Sequence, residues 1–374
     1  MTIGETTRQR RSGSAAPRRR RRPSSTLPRV MQMLVGEYDG GAENFFDKLA
    51  VSLHQAGLPQ KLIIGANDNR AAWLRQAGCD VVQLRFGGLR DPISRWRLHR
   101  HVVRFRPQAV VVWMNRAARR LPRGNFVKIG RFGGYYPVKY YRRCDYLIGN
   151  TPDLVEHIVR SGWPPDRATM LTNFGDLTML PPADRTELDT PADAPLLLSL
   201  GQLQGGKGFD VLLQALVSIP KAYLWLAGDG PLHAELRTLA DDLGVADRVR
   251  FLGWRRDQSA LYRAADVCVV TSRREALSNC TLEAWLHGLP VVATASEGPR
   301  WLIDHERTGL LVPIDDVSGL AAAVHRVLAD GDLRRRIADG GKQKYDRLFS
   351  RRAITRQYVE FFQQITANRA ERTA

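Results

Sequence analysis

The stretch "LLLSLGQLQGGKGFDVLLQAL" runs from Leu196 to Leu216. A short apolar run ends at Gly201, a glycine-rich turn carrying Lys207 follows, and an apolar, helix-like segment begins at Phe209. Strand, tight turn and helix in that order make one unit of a parallel α/β sheet. The turn leaves free backbone N–H groups at a helix start, and Lys207 adds a full positive charge, so the unit is suited to an anion. It is not a Walker A loop, because Gly208 stands where that motif needs Ser or Thr after the lysine. A plain β–α turn with a surface lysine accounts for the same residues.

The same alternation extends in both directions. From Val30 the apolar runs are "VMQMLVG", "KLIIGA", "DVVQLRF", "AVVVWM", "NFVKIG" and "DYLIGN". After Pro181-Pro182 and the Asp/Pro-rich stretch to Pro195 it restarts with "LLLSLG", "AYLWLAG", "RVRFLG", "DVCVVTS", "PVVATA" and "GLLVP". Each run is short and apolar on both faces, as parallel strands covered by helices must be. Two such series predict two doubly wound α/β domains, 29–173 and 196–349, joined by a linker over 174–195. An amphipathic C-terminal helix and tail are expected over 350–374. Residues 1–28 are rich in Arg, Ser and Pro, with little to bury, and are expected to be disordered.

The totals agree with this division. A chain of 374 residues is long for one core and comfortable for two. The four cysteines are scattered without a C-x-x-C pair and read as reduced, buried thiols in the cytoplasm. No signal peptide or membrane-spanning run is expected. Net charge is +18, and it is unevenly placed: residues 174–374 hold 25 Lys and Arg against 26 Asp and Glu. The excess therefore lies in the first half, above all between Arg85 and Arg143, where sixteen Lys and Arg face one acid, Asp91. Such a face is expected to meet something anionic. Within it "DPISRWRLHRHVVRFRP" reads as a basic amphipathic helix carrying Ile93, Trp96 and Val103, a form suited to a membrane surface. An ordinary crossover helix explains its apolar side equally.

Further motifs fall at the ends of the later strands. "LAGDGPLHAEL" is a second strand, glycine turn and helix, with Pro231 at the expected first helical position. "DRVRFLGW" ends a strand at Gly253-Trp254, where a nucleobase can rest against the backbone. "REALSNCTLEAWLHGLPVVAT" (Arg274–Thr294) places Glu275 and Glu283 around a helix start that Ser278 or Asn279 can cap. A carboxylate accepts two hydrogen bonds at once and so matches a vicinal diol, while a second can take sugar hydroxyls or support charge at an anomeric carbon. A surface cap explains Glu275 as well, whereas Glu283 sits among residues expected to be buried.

Taken in order, "GQLQGGKG", "LAGDGPL", "RVRFLGW", E-x7-E, "GLPVVAT" and "GLLVPIDD" resemble the nucleotide-sugar domain of retaining glycosyltransferases of family 4. "GGAENFFDKLA" is similar to that family's glycine loop and first helix. The resemblance covers roughly residues 30 to 365, and "FGGYYPVKYYRRCDYLIGNTPDLVEHIVRSGWPPDR" looks most like members that build lipopolysaccharide core or other surface polysaccharide. It implies the GT-B fold, two Rossmann-like domains facing across a cleft. It further implies that Glu283 holds the nucleotide ribose, Glu275 contacts the donor sugar and Lys207 pairs with the diphosphate. Leu277 and Ser278 would offer N–H groups to a phosphate, Gly40 and Gly41 would close over the donor, and Gly201, Gln202, Gly228 and Trp254 would line its site.

Two positions depart from the family pattern. Gln202 stands where an arginine is usual, and glutamine does not replace its charge. Arg131, in "KIGRFGG", stands near a usual histidine. Arg131 is therefore expected either to supply the missing cation or to grip a phosphate on the acceptor, with Asn115 and Arg116 beside it. An arginine at the edge of a basic domain reads the same. Asp330-Gly331-Asp332 is a lone D-x-D whose ordinary explanation is a helix cap, so no metal and no cofactor are expected. The expected partners are a nucleotide-sugar donor, a lipid-linked glycan acceptor and the anionic inner face of a membrane, with the chain peripheral there. A nucleotide-sugar 2-epimerase of the same fold would need its own acid/base set and no cationic face. A nucleic-acid-binding protein would leave the second domain unexplained and would need base-reading motifs, which are absent.

Overall fold

The computed structural model describes residues 27–36, 40–86, 91–175 and 179–373. Most of the Arg-rich tail expected to be disordered lies outside these residues.

The first domain is built on β1 (Val30–Leu34), β2 (Gln60–Ile64), β3 (Val81–Gln83), β4 (Ala109–Trp113), β5 (Val127–Arg131), β6 (Tyr146–Gly149) and β7 (Ala168–Met170). They form one parallel sheet in the order β3-β2-β1-β4-β5-β6-β7. Between them run α1 (Gly41–Gln55), α2 (Asp68–Gln76), α3 (Pro92–Phe105), α4 (Met114–Ala118) and α5 (Pro152–Arg160). The second sheet contains β8 (Leu196–Leu200), β9 (Tyr223–Ala227), β10 (Val249–Gly253), β11 (Val267–Val270), β12 (Val291–Thr294) and β13 (Leu310–Val312), in the order β10-β9-β8-β11-β12-β13. Its helices are α6 (Phe209–Val217), α7 (His233–Asp242), α8 (Gln258–Ala264), α9 (Asn279–Leu286), α10 (Glu297–Leu302) and α11 (Val317–Ala329). Two long helices, α12 (Gly331–Leu348) and α13 (Arg351–Thr373), end the chain.

Alternation along the strands sends side chains into two cores per domain. Val30 and Leu34 of β1 enter one cluster with Leu49, Val111 and Ile129, while Met31 and Met33 enter the other with Leu98, Val112 and Phe132. Gln32, on the same face as Val30, is fully buried and satisfied. Its amide donates to Gln60 Oε1 (3.0 Å), and its carbonyl accepts from Trp113 Nε1 (3.1 Å). A buried amide without such partners would cost about 1–3 kcal/mol.

The six strands expected in the second half all form. The first half contains a seventh, β7, whose short "ATM" carries too little apolar signal to be read alone. The helix expected to begin at Pro231 begins at His233, because Leu232 N–H is held in a turn by Leu203 O (3.0 Å). The larger revision concerns the C-terminus. The chain crosses back, and Ile354, Tyr358, Phe362 and Ile365 of α13 join the core of the first domain. The linker, by contrast, packs on the second domain: Ala183 N–H donates to Ala260 O (3.0 Å) and Trp225 Nε1 donates to Thr190 Oγ1 (2.9 Å).

Because α13 completes the first core, Phe362→Ala is expected to lower stability by about 3–5 kcal/mol in urea unfolding. Arg356→Ala, on the exposed side of α13, is expected to stay within about 0.5 kcal/mol. Equal effects of the two changes would contradict the packing described.

Candidate active site

In both sheets the strand order reverses beside the first strand, between β1 and β4 and between β8 and β11, and the crevice beyond the carboxyl ends at such points is where open α/β sheets bind ligands. The two crevices face each other and enclose one cleft of about 1030 Å³. The second domain lines it with Gly201, Gln202, Lys207, Gly228, Trp254, Glu275, Leu277 and Glu283. The first contributes Gly40, Gly41, Glu43, Lys48, Arg131, Tyr135, Tyr136 and Asn150.

Glycine shapes the wall of the second domain. Gly228 has φ +151°, and a Cβ there would lie 1.9 Å from Gly201 O, so the turns after β8 and β9 meet backbone to backbone. Gly208 has φ +64°, and its missing side chain admits Thr271 O, while Thr271 Oγ1 donates to Lys207 O (2.9 Å). The turn is thereby fixed and Lys207 is aimed inward. Its ammonium donates to Glu275 Oε2, which also accepts from Ser272 Oγ (3.0 Å). Burial lowers the Lys207 pKa, the Glu275 carboxylate raises it, and the net shift is upward. Lys207 therefore stays cationic throughout the neutral range.

Ser278, not Asn279, caps α9: its Oγ accepts from Thr281 N–H (3.3 Å). Within α9, Glu283 has both carboxylate oxygens in use. Oε1 accepts from Lys48 Nζ of α1 (2.9 Å), and Oε2 accepts from Tyr262 OH (3.1 Å). Burial, followed by neighbouring negative charge, holds the Tyr262 phenol well above its ordinary pKa, so it remains a donor. The Lys48–Glu283 pair spans the two domains. So does a second link, in which Asn173 Nδ2 donates to Asn279 Oδ1 (2.8 Å).

Arg131 lies at the end of β5 and is 1% exposed, not at a cleft edge. Its guanidinium is stacked 4.4 Å from the Trp113 ring and 5.0 Å from that of Phe45. It donates to Tyr358 OH (3.1 Å), Phe132 O (3.3 Å) and Asn173 Oδ1 (2.5 Å). Among the described residues none of these partners is a carboxylate.

Most residues singled out from the sequence meet in this cleft. Gly40, Gly41, Arg131, Gly201, Gln202, Lys207, Gly228, Trp254, Glu275, Leu277 and Glu283 all line it. Ser278, Asn115 and Arg116 do not. The cap takes up Ser278 Oγ, whereas the expectation concerned its backbone N–H, which the cap does not use. Asn115 and Arg116 lie on α4, where the backbone turns away after β4. The first-domain wall carries Asn44, Asn150 and Asn173; Asn150, after β6, is 4% exposed, and among the described residues its Oδ1 has no hydrogen-bond partner. Asp330 caps α12, accepting from Asp332 and Leu333 N–H (3.0 and 2.9 Å).

Lys48 was missed, although its spacing carried a signal. Gly41, Phe45 and Lys48 fall at i, i+4 and i+7, one face of a helix that begins at the cleft. Arg274, stacked 4.9 Å from the Tyr135 ring of the other domain, gave none, because it depends on how the domains face.

The Lys48–Glu283 pair is testable by a double-mutant cycle. Lys48→Met, Glu283→Gln and the double variant are expected to show a coupling of about 1–3 kcal/mol in urea unfolding. Simple additivity would mean that the domains do not meet there.

Comparison with known proteins completes the assignment. The family described as glycosyl transferases group 1 matches residues 194–330. The lipopolysaccharide core biosynthesis glycosyltransferase LpsE of Rhizobium meliloti (strain 1021) is 38% identical over 336 residues, covering 86% of this chain and 95% of LpsE. LpsD of the same organism, which carries the same description, is 35% identical over 347 residues, covering 91% of this chain and 100% of LpsD. In fold, the chain matches Anabaena HepE in complex with UDP-glucose with a TM-score of 0.80 at 19% identity, over 90% of this chain and 100% of that one. It matches WaaG, a glycosyltransferase involved in lipopolysaccharide biosynthesis, with a TM-score of 0.67 at 18% identity, over 89% and 99%. Both series of βα units, the cleft between them and the similarity to LpsE and LpsD over most of the chain lead to one statement: the chain belongs to the group 1 glycosyltransferases and has their two-domain GT-B fold.

Proposed function

We propose that this glycosyltransferase moves a sugar from a UDP- or GDP-linked donor to a lipid-linked glycan, with retention of configuration, in lipopolysaccharide core or related surface-polysaccharide synthesis. The observation that carries the reading is the wall of the second domain, where Lys207, Glu275, the start of α9 and Glu283 follow one another along a single cleft. The roles of LpsE and LpsD in lipopolysaccharide core biosynthesis support the choice of pathway. In this reading Glu283 accepts the two ribose hydroxyls and exchanges Lys48 for one of them. The diphosphate lies between Lys207 and the N–H groups at Leu277 and Ser278, and Trp254 borders the base. Glu275 receives donor-sugar hydroxyls on its free oxygen.

The chemistry follows from that placement. The bond from the anomeric carbon to the diphosphate oxygen breaks, and the acceptor oxygen bonds to the same carbon on the same face. The acceptor proton passes to the departing diphosphate. Lys207 and the N–H dipoles stabilise the charge that builds on the leaving group. Arg131, whose buried charge has no carboxylate partner among the described residues, supplies the cation that Gln202 does not, or holds a phosphate of the acceptor. The acceptor approaches the first-domain wall, where the buried Asn150 Oδ1 has no hydrogen-bond partner among the described residues. The cationic first half supports a reading of the enzyme as a peripheral protein on the anionic inner face of a membrane.

A thermal-shift panel of UDP, GDP, ADP and their sugar conjugates tests the donor assignment. One base family is expected to stabilise the protein, by about 2.7 kcal/mol at a hundredfold excess over Kd. Glu283→Ala is expected to abolish the shift, and no shift with any nucleotide would sink the reading. For Arg131, Arg131→Met is expected to lower turnover or donor affinity at least about tenfold, the scale of one charge-assisted hydrogen bond. A loss in donor affinity assigns it to the diphosphate and a rise in acceptor KM alone assigns it to the acceptor; intact kinetics would remove it from the site.

A further inference from the structure

Thr271 fixes the inner end of the turn that carries Lys207, but the outer part of that turn has little to lean on. Gln204, Gly205 and Gly206 are exposed, and a Cβ at Gly205 or Gly206 would meet no atom within 4 Å. Packing therefore does not hold this stretch, and it relies on hydrogen bonds. Arg273, after β11, donates its backbone N–H to Gly206 O (2.9 Å) and its Nη1 to Gly205 O (2.8 Å). Among the described residues, the other hydrogen bond that reaches residues 204–206 from outside the turn is from Arg274 N–H to Gly206 O, at 3.5 Å.

The Arg273 side chain is itself locked in place. Nη1 and Nη2 donate to the two carboxylate oxygens of Asp210 in the first turn of α6 (2.9 and 2.6 Å), and Nε donates to Asp315 Oδ1 (2.6 Å). Burial raises the Asp210 pKa, the hydrogen bonds and charge of Arg273 lower it, and the net shift is downward, so the pair stays ionised at neutral pH. Asp315 follows β13 and holds φ +61°, a left-handed conformation that aspartate tolerates. One guanidinium thus ties together the turn after β8, the start of α6 and the turns after β11 and β13. All three of its nitrogens are engaged, in a planar fork that a lysine ammonium does not reproduce.

Arg273 lies behind the cleft, whereas the residues it holds line it. Lys207 ends the turn, Glu275 stands two residues beyond Arg273, and the two meet inside the cleft as an ion pair. We propose that Arg273 is the positioning residue for the donor diphosphate: it sets the glycine turn so that Lys207 meets the phosphate oxygens. This rests on the donor reading given under the proposed function, and goes beyond it by naming what holds the lysine in place. Asp210 and Asp315 offset the charge of Arg273, so its effect is one of placement rather than of attraction at a distance. Without it Lys207 would keep its partner Glu275 and drift with the turn. The loss then falls on the phosphates, since the base and ribose are read against Trp254 and Glu283, on other loops.

The test uses the full chain and two pairs of probes, UDP with uridine and GDP with guanosine. Arg273→Met is expected to weaken the preferred diphosphate at least about tenfold, the scale of one hydrogen bond to a charged group, and to leave its nucleoside within about twofold. In a Lys207→Met background the same change is expected to cost the diphosphate nothing further, because the lysine through which it acts is gone. Arg273→Lys keeps the charge and loses the fork, and is expected to behave as Arg273→Met does. Amide hydrogen exchange over residues 203–208, read on the same proteins without ligand, is expected to quicken at least about tenfold in Arg273→Met. Equal weakening of diphosphate and nucleoside would mark general damage to the fold and overturn the proposal. Full rescue by lysine, an undiminished effect in the Lys207→Met background, or unchanged exchange in the turn would each overturn it as well. If no probe binds even the wild-type protein, the donor reading fails, and the exchange measurement still decides whether Arg273 holds the turn.

Discussion

A buried guanidinium with no carboxylate among its described hydrogen-bond partners sits where the parts of this molecule converge. Arg131 ends β5, stacks on Trp113 of β4 and Phe45 of α1, and donates to Tyr358 of α13 and to Asn173 before the linker. A buried cation is costly unless it is surrounded by acceptors and polarisable groups, and here aromatic faces and neutral oxygens do that work. The arrangement explains why the chain returns to its first domain. Without α13, Arg131 would lose Tyr358 and the core would lose Tyr358, Phe362 and Ile365. It also leaves a positive charge on a cleft wall whose hydrogen-bond partners among the described residues include no carboxylate, in a protein whose proposed substrates are anions.

From Asn173 the polar chain continues to Asn279 at the start of α9, and about one turn further along that helix Glu283 meets Lys48. The contacts that hold the domains together are thus made by the groups assigned to the donor. Binding of a ribose diol at Glu283 has to exchange a hydrogen bond to Lys48, so donor binding and the fit between domains are coupled through one carboxylate. Lys207 and Glu275 repeat the logic on a smaller scale: each holds the other in place, and each has a task that a bound diphosphate sugar would take up.

How much of this was legible in the sequence follows from what each signal depends on. The strands and their parallel pairing were readable because β1, β4 and β8 are apolar on both faces, which only a covered sheet permits. Lys207, Glu275 and Glu283 were readable because each lies at a strand end or helix start, positions fixed by local pattern. Lys48 was readable in principle from its helical face. Arg274 and Asn150 were not, since their places depend on how one domain faces the other and on where β6 ends. Asn115 and Arg116 misled because proximity in sequence to the end of β4 did not reveal that α4 begins at once, with Met114, and carries them away from the cleft. The packing of α13 on the first domain was hidden for the same reason: an amphipathic helix shows that it is covered, not by what.

The measurement that bears most directly on the account compares the affinity of the preferred nucleoside diphosphate with that of its 2′,3′-dideoxy analogue, in the wild-type protein and in Glu283→Ala. If Glu283 grips the ribose diol, the analogue binds the wild type at least about tenfold more weakly, the worth of one hydrogen bond to a charged group. In Glu283→Ala the two ligands then bind alike. An equal preference for the ribose in both proteins would show that the diol is held elsewhere, and would contradict the assignment on which the orientation of the donor in the cleft rests.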